Sequence, residues 1–462
     1  MKKGNVYEAP VREVRFPNKG VVVLEDTEVI VKDVLEGEVI SFRFEKHRKG
    51  KGVGRLVEVI SRSAEETEAP VCSHFSLCGG CTYQTIPHSS ECRMKEKQLR
   101  SLLAAYIDDS VWEGVYESPQ PLAYRNKMEF TFGDECKGGP LALGLHKKQS
   151  MFDIVSLTDC AIVPPDMQRI VSLTRDFFAE TGLPYLHRFS HQGYLRHLLL
   201  RQAKKSGQIL IDLVTTTQID PAREESILAA YAARLLELEH SKALDGVISG
   251  ILHTVNDSLA DVIQNDRTDI LYGRDVIDEE LLGLRFRITP FSFFQTNSRG
   301  AELLYSVVRD YVGSARRSVV YDLYSGTGTI AQVIAPVADR VVGVEIIEEA
   351  VEAARENAVR NGLANCEFYA GDVLRVIDEL RERPDFIILD PPRDGIHPKA
   401  IGKIIDFGVE RIVYVSCKPT SLARDLAVFS EAGYRVERAC AVNMYNRTVH
   451  VETIVLLSKT KA

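Results

Sequence analysis

Ser318-Val319-Val320-Tyr321-Asp322-Leu323-Tyr324-Ser325-Gly326-Thr327-Gly328-Thr329 decides the fold of this chain. The apolar run to Tyr324 reads as a buried strand, Ser325 to Thr329 as a glycine turn, and Ile330 onward as a helix. Arg340-Val341-Val342-Gly343-Val344-Glu345 follows as a second strand ending in an acid. Such a unit suits an adenosine cofactor, because glycines let the backbone approach it and the acid accepts hydrogen bonds from ribose hydroxyls. Gly326-x-Gly328-x-x-Ala331 also fits a dinucleotide fingerprint, so NAD competes. The acid Asp322 ahead of the glycines points instead to S-adenosylmethionine.

Working outward, Gly371-Asp372 follows a third strand and places an acid within reach of an adenine ring. Asp385-Phe386-Ile387-Ile388-Leu389-Asp390-Pro391-Pro392-Arg393 is a fourth strand, and its Asp-Pro-Pro ending is a methyltransferase signal. Arg411-Ile412-Val413-Tyr414-Val415-Ser416-Cys417-Lys418-Pro419 is a further buried strand that presents Cys417 at its end. In open α/β sheets ligands bind beyond the carboxyl ends of the strands, so that thiol points into the cleft. Thr420 and Ser421 are suited to capping the next helix. A helix N-terminus and Lys418 beside the thiol would favour its thiolate, the nucleophilic form. Taken alone, a Cys at a strand end is more often inert packing, and the neighbouring motifs argue for the nucleophile.

At 462 residues the chain exceeds one core, which predicts two or three domains. Its 45% apolar and 26% charged content is that of a soluble globular protein. An apolar signal region and bilayer-length apolar runs are both missing, so a cytoplasmic protein without a membrane partner is expected. In a reducing compartment the nine Cys read as metal ligands or catalytic groups rather than as disulfides. A net charge of −8 argues against polyanion binding by the whole surface and leaves local patches open.

Residues 1–62 read as a small β-barrel of short strands, with Lys46-His47-Arg48-Lys49-Gly50-Lys51 as a basic hairpin tip suited to phosphate contacts. Cys72, Cys78 and Cys81 then fall within ten residues around Gly79-Gly80. Cys92 and Cys160 are both available as a fourth ligand. Three close Cys and one remote one suit an iron–sulfur cluster better than zinc, which usually takes ligands in pairs. Glu91 to Ile107 reads as a helix with Lys95, Lys97 and Arg100 on a solvated face. Residues 119–284 read as an α+β region, in which Tyr124-Arg125-Asn126-Lys127 and Arg196-His197 are candidate RNA contacts. The catalytic pattern runs over 285–462.

Together, Phe293-Phe294-Gln295-Thr296-Asn297, Asp322-Leu323-Tyr324-Ser325-Gly326, Asp390-Pro391-Pro392-Arg393, Ser416-Cys417 and Thr448-Val449-His450-Val451-Glu452-Thr453 resemble the RNA uridine-C5 methyltransferases of the RumA/TrmA type. The resemblance covers nearly the whole chain. It implies a Rossmann-like S-adenosylmethionine-dependent methyltransferase domain at 285–462, an N-terminal TRAM barrel (OB-like) at 1–62 and a central α+β domain at 119–284. Between them it implies an iron–sulfur segment at 63–91 and a helix near 92–118 packed with the catalytic domain. Cys72, Cys78, Cys81 and Cys160 match the ligands of the 4Fe–4S cluster in the RumA branch. Gln295, Tyr324, Gly326, Thr329, Glu345, Asp372 and Asp390 match positions around S-adenosylmethionine or the target base, with Thr329 and Asp372 standing where the family often has Asn.

The implied chemistry explains these residue types. Uracil C5 is a poor nucleophile; a Cys417 thiolate adding at C6 makes it an enolate carbon able to take a methyl group. The C5 proton must then leave, and Glu452 matches the family's base. Asp390 would accept a hydrogen bond from the ring N3–H, and the nucleotide would be flipped from its stack. A monomer acting on RNA is expected, with large-subunit (23S) ribosomal RNA preferred and the transfer-RNA T-loop as the nearest rival. A non-catalytic RNA-binding module is the rival of a different class. Lys418 after the nucleophile and Met444-Tyr445-Asn446-Arg447 before Thr448 depart from the family pattern and bear on the shape of the nucleotide pocket.

Overall fold

The computed structural model describes residues 1–260, 265–313, 315–380 and 382–460, with the backbone alone at 315–317. Three sheets organise it. The first is built from Val6–Pro10, Glu13–Arg15, Lys19–Leu24, Thr27–Lys32, Val39–Arg48 and Lys51–Ser61, curled around Val22, Val29, Val31, Ile40, Phe42 and Phe44. The basic hairpin tip is mostly strand: only Lys49 and Gly50, both at positive φ, form the turn. That backbone pair matches the twist of the flanking strands.

The central sheet runs in the order Ile154–Ser156, Leu141–His146, Lys127–Asp134, Leu195–Gln202, Gln208–Thr215, Val247–Val255, Arg267–Gly273. Its one parallel pair, Gln208–Thr215 with Val247–Val255, is bridged by the helix Pro221–His240, as a parallel connection requires.

The catalytic sheet has eight strands in the order Cys366–Ala370, Ala338–Glu345, Ala315–Leu323, Phe386–Leu389, Arg411–Ser416, Glu452–Lys459, Tyr434–Asn443, Trp112–Glu117. All are parallel except Glu452–Lys459, which runs against both its neighbours. Ser298–Val312, Thr329–Ile334 and Glu348–Arg360 cover one face, and Val373–Glu379, Pro398–Asp406 and Pro419–Glu431 the other. Burial on both faces explains why these strands read as unbroken apolar runs rather than alternating ones. The chain reverses direction across the sheet between Ala315–Leu323 and Phe386–Leu389, and a cleft opens there.

Two expectations change. Residues 92–118 are not one helix: the helix is His88–Leu103, and Trp112–Glu117 is the edge strand of the catalytic sheet. The hairpin Ile277–Leu281/Leu284–Ile288 straddles the expected boundary at residue 285 and packs Ile277, Leu281, Phe286 and Ile288 into the catalytic core. Among the described residues, no helix is long and apolar enough to cross a membrane.

Candidate active site

Tyr324, Asp390 and Cys417 each stand one residue beyond a strand, at the carboxyl edge of three adjacent strands. Ser416 pairs with Thr453 on the antiparallel neighbour, so Cys417 and Glu452 leave the sheet at the same edge. Register therefore brings together two residues separated by a whole strand and helix in the sequence. Gln295, Tyr324, Gly326, Thr329, Glu345, Asp372, Asp390, Cys417 and Glu452 all line one cleft of about 1270 Å³.

In one half of the cleft the glycine turn is tied to the acid of the second strand. Gly326 N–H donates to Glu345 Oε2 at 3.0 Å, and Ile346 N–H to Oε1 at 2.8 Å. Gly328 has φ +71°, and a Cβ there would stand 2.5 Å from the Phe368 ring, so only glycine fits beneath the turn. Asp322 does not face the cleft as a ligand: it accepts from Ala331 N–H at 2.9 Å and holds the helix start. Burial, with Asp390 nearby, pushes its carboxyl up to about 8. Asp372 caps the helix Val373–Glu379 through Leu374 N–H at 2.8 Å.

The other half brings two carboxyls, Asp390 and Glu452, to the cleft. Glu452 is buried, and desolvation reinforced by Asp390 pushes it up to about 8, with Arg393 and the Tyr445 hydroxyl pulling the other way. Desolvation pushes Asp390 up to about 7. The Cys417 thiol is pushed up to about 11, by burial first and then by Glu452 and Asp390. The expectation of a ready thiolate is therefore corrected. Lys418 is exposed and turned to Asp394 at 3.7 Å, and the cation that favours the thiolate is Arg393. Nor does Ser421 cap the helix; its hydroxyl donates to Arg393 C=O at 2.8 Å and ties down the Asp-Pro-Pro-Arg loop. Tyr445, absent from the expected set, donates to Gln295 Oε1 at 3.1 Å and lies beneath the Arg125 guanidinium at 5.6 Å.

A glycine turn, a strand-end acid, a thiol and a buried carboxyl in one cleft find close parallels. The family model described as tRNA (Uracil-5-)-methyltransferase matches residues 254–460. An uncharacterized RNA methyltransferase of Clostridium tetani is 46% identical over 460 residues, covering 99% of each chain. Another, from Caldanaerobacter subterraneus, is 43% identical over 461 residues and covers 100% of each. The chain belongs to the RNA uracil-5-methyltransferase family. A solved relative, the Pyrococcus abyssi tRNA (uracil-54, C5)-methyltransferase in complex with S-adenosyl-L-homocysteine, is 25% identical with a TM-score of 0.77, over 97% of this chain and 99% of that one. This RNA methyltransferase thus uses S-adenosylmethionine, and the NAD reading falls.

The methyltransferase also brings together the four cysteines expected to be ligands. The thiols of Cys72, Cys78 and Cys81 lie near enough to Cys160 to help raise it to about 12, after burial. Ser73 bonds Asp159 through both N–H and hydroxyl, at 3.0 and 2.8 Å, fastening the two segments together. Cys92 lies elsewhere, accepting from Asn443 Nδ2 at 3.3 Å and within 4.8 Å of His88 and Glu117. The candidate RNA contacts fare differently. Tyr124 and Asn126 are buried and join the central and catalytic parts, through Asn446 C=O at 3.0 Å and Gln295 C=O at 2.8 Å. Arg196 is buried, bonding the carbonyls of Asn256, Ser258 and Ala260. Of that set, Arg125 stacks over Tyr445, which lines the cleft. The sequence marks Tyr445 only as part of the Met444–Arg447 departure, because its contacts with Gln295 and Arg125 depend on which loops the fold brings together.

Proposed function

We propose that this enzyme methylates C5 of a uridine in RNA by covalent catalysis, with Cys417 as nucleophile and Glu452 as base. The observation that carries the reading is their register across neighbouring strands, both opening on the cleft that holds the glycine turn. The Cys417 thiol releases its proton to solvent, the thiolate adds to uracil C6, and C5 then takes the methyl group from the sulfonium of S-adenosylmethionine, releasing S-adenosylhomocysteine. Glu452 removes the C5 proton and the Cys417–C6 bond breaks, restoring the aromatic ring and the free thiolate. A base poised near neutrality suits that step, and burial supplies it. The positive sulfonium entering the cleft opposes the burial that keeps Cys417 protonated.

Glu345 would hold the ribose hydroxyls, Asp372 the adenine, and Gln295, Tyr324, Gly326 and Thr329 the remaining edge of the cofactor. Asp390 would accept from uracil N3–H, a donor that cytosine lacks. Cys72, Cys78, Cys81 and Cys160 would hold a 4Fe–4S cluster. Their convergence from two segments supports that assignment, and among the described residues no three of these sulfurs lie within 4.8 Å of one another. Sulfurs around one zinc, at about 2.3 Å from the metal, would be closer than that. The cluster's role in this reading is to staple the two segments.

The preferred substrate is 23S ribosomal RNA, served by the basic hairpin of the N-terminal sheet. A second reading, the transfer-RNA T-loop, is favoured by the solved relative, a tRNA (uracil-54, C5)-methyltransferase. Nucleoside mass spectrometry of separately purified ribosomal and transfer RNA from cells lacking the protein decides. Loss of 5-methyluridine from ribosomal RNA alone supports the first reading. Loss from transfer RNA alone replaces the substrate and keeps the chemistry.

A further inference from the structure

The segment from Asn443 to Glu452 links two neighbouring strands of the catalytic sheet and brings Tyr445, His450 and Glu452 to the cleft. Away from the cleft it rests on a charged pair supplied by the far end of the chain. Glu91 and Lys95 stand one turn apart on His88–Leu103, are 0% and 1% exposed, and bridge at 2.8 Å. Glu91 Oε1 also accepts from Asn443 Nδ2 at 3.1 Å, and its two oxygens share the Arg447 N–H at 3.1 and 3.0 Å. The remaining two protons of Lys95 Nζ go to Asn443 Oδ1 at 2.7 Å and to His450 C=O at 2.9 Å. The pair therefore grips the segment at its start, its middle and two residues before Glu452, and every ammonium proton has an acceptor.

A buried ion pair is rarely worth more to stability than an apolar pair of the same size, because desolvation offsets the attraction. What it supplies is geometry: directed bonds to backbone groups that an apolar side chain cannot make. We infer that Glu91 and Lys95 are positioning residues for proton removal, holding the backbone at His450 so that the Glu452 carboxylate meets the C5 proton of a base already bonded to Cys417. This rests on reading Glu452 as the base. Neither side chain lines the cleft, so cofactor binding and thiol addition do not depend on them directly.

The test is the double variant Glu91→Gln, Lys95→Met, which removes both charges at nearly constant volume and so avoids leaving one ion buried alone. It is run beside Glu452→Gln, with S-adenosylmethionine affinity, turnover, and RNA-linked protein on a denaturing gel as readouts. The expected result is unchanged cofactor affinity, turnover lower by about 10²-fold, the order produced by a misplacement near 1 Å, and accumulation of the RNA-linked species. Undiminished turnover overturns the inference, as does loss of turnover together with adduct formation, the sign of general damage. Stalling in Glu452→Gln alone overturns the positioning role and leaves the base in place. Stalling in neither overturns the base and the positioning role with it.

Discussion

At the scale of single residues, Cys417 and Glu452 share one edge of the sheet, and Glu452 raises the cost of ionising the thiol. Cys417→Ala is expected to abolish methylation and the RNA-linked species while leaving S-adenosylmethionine binding intact, as isothermal titration would show; full turnover would refute the nucleophile. Glu452→Gln is expected to build up the RNA-linked species because elimination stalls. The free enzyme holds Glu452 protonated below about 8, and only the carboxylate can take a proton. The rate at which the methylated RNA-linked species breaks down in a single turnover is therefore expected to climb as pH rises from about 6 to 9; a flat profile across that range would count against the assignment. Much of this site was legible in the chain, because Asp390-Pro391-Pro392 and Ser416-Cys417 sit next to runs that announce strand ends. The protonation of Cys417 was not legible, since it depends on carboxyls delivered by other strands.

At the scale of elements, the connection between Tyr434–Asn443 and Glu452–Lys459 is a loop with an interior's burial: Met444, Asn446, Arg447, Thr448 and Val451 are all buried. Its backbone polar groups are met from distant parts of the chain. Met444 C=O accepts from Asn297 Nδ2 at 2.7 Å, and Arg447 C=O from Thr82 and Tyr83 N–H at 2.7 and 3.1 Å. The Arg447 guanidinium in turn donates to Tyr83 C=O at 3.1 Å and Ile86 C=O at 2.6 Å, and to Glu68 at 3.2 Å. Arg447→Met strands those carbonyls without a donor, so it is expected to cost about 3 kcal/mol in urea unfolding. A loss well under 1 kcal/mol would show that water replaces the guanidinium. The helix His88–Leu103 illustrates the limit of periodicity: Lys95 reads as a surface cation and is buried, because it meets the Glu91 carboxylate, Asn443 Oδ1 and His450 C=O rather than solvent.

At the scale of the whole molecule, three carboxyls at the catalytic core have raised pKa values: Asp322 and Glu452 to about 8 and Asp390 to about 7. A group whose folded pKa lies above its unfolded one contributes stability below the unfolded value and loses it as pH rises through the folded value. These three therefore weaken the ligand-free fold between roughly pH 4 and 8. Glu452→Gln removes one of them, so its Tm relative to the parent is expected to be higher at pH 9 than at pH 5; an equal difference at both would contradict the burial argument. The iron–sulfur assignment belongs to this scale too, since Cys160 and the segment from Cys72 to Cys81 meet only through the tertiary fold. Cys160→Ser is expected to lower bound iron and sulfide in protein purified without oxygen; unchanged iron would refute that ligand.

The sequence by itself determined the central strands of the catalytic sheet, the glycine turn and the identity of the residues at those strand ends. Those features are local: apolar run length, turn chemistry and the positive φ of Gly326 and Gly328 act over a few residues. It also placed Cys72, Cys78 and Cys81 together, because they share one loop. Only the tertiary structure decided that Trp112–Glu117 completes the catalytic sheet, that Glu452 stands across from Cys417, that Glu91 and Lys95 lie beneath the segment leading to it, and that the thiol rests protonated. Strand order, register and desolvation are set by partners from some thirty residues away, as for Cys417 and Glu452, to more than three hundred, as for Trp112–Glu117 and Tyr434–Asn443, and no local window of the chain contains both members of such a pair.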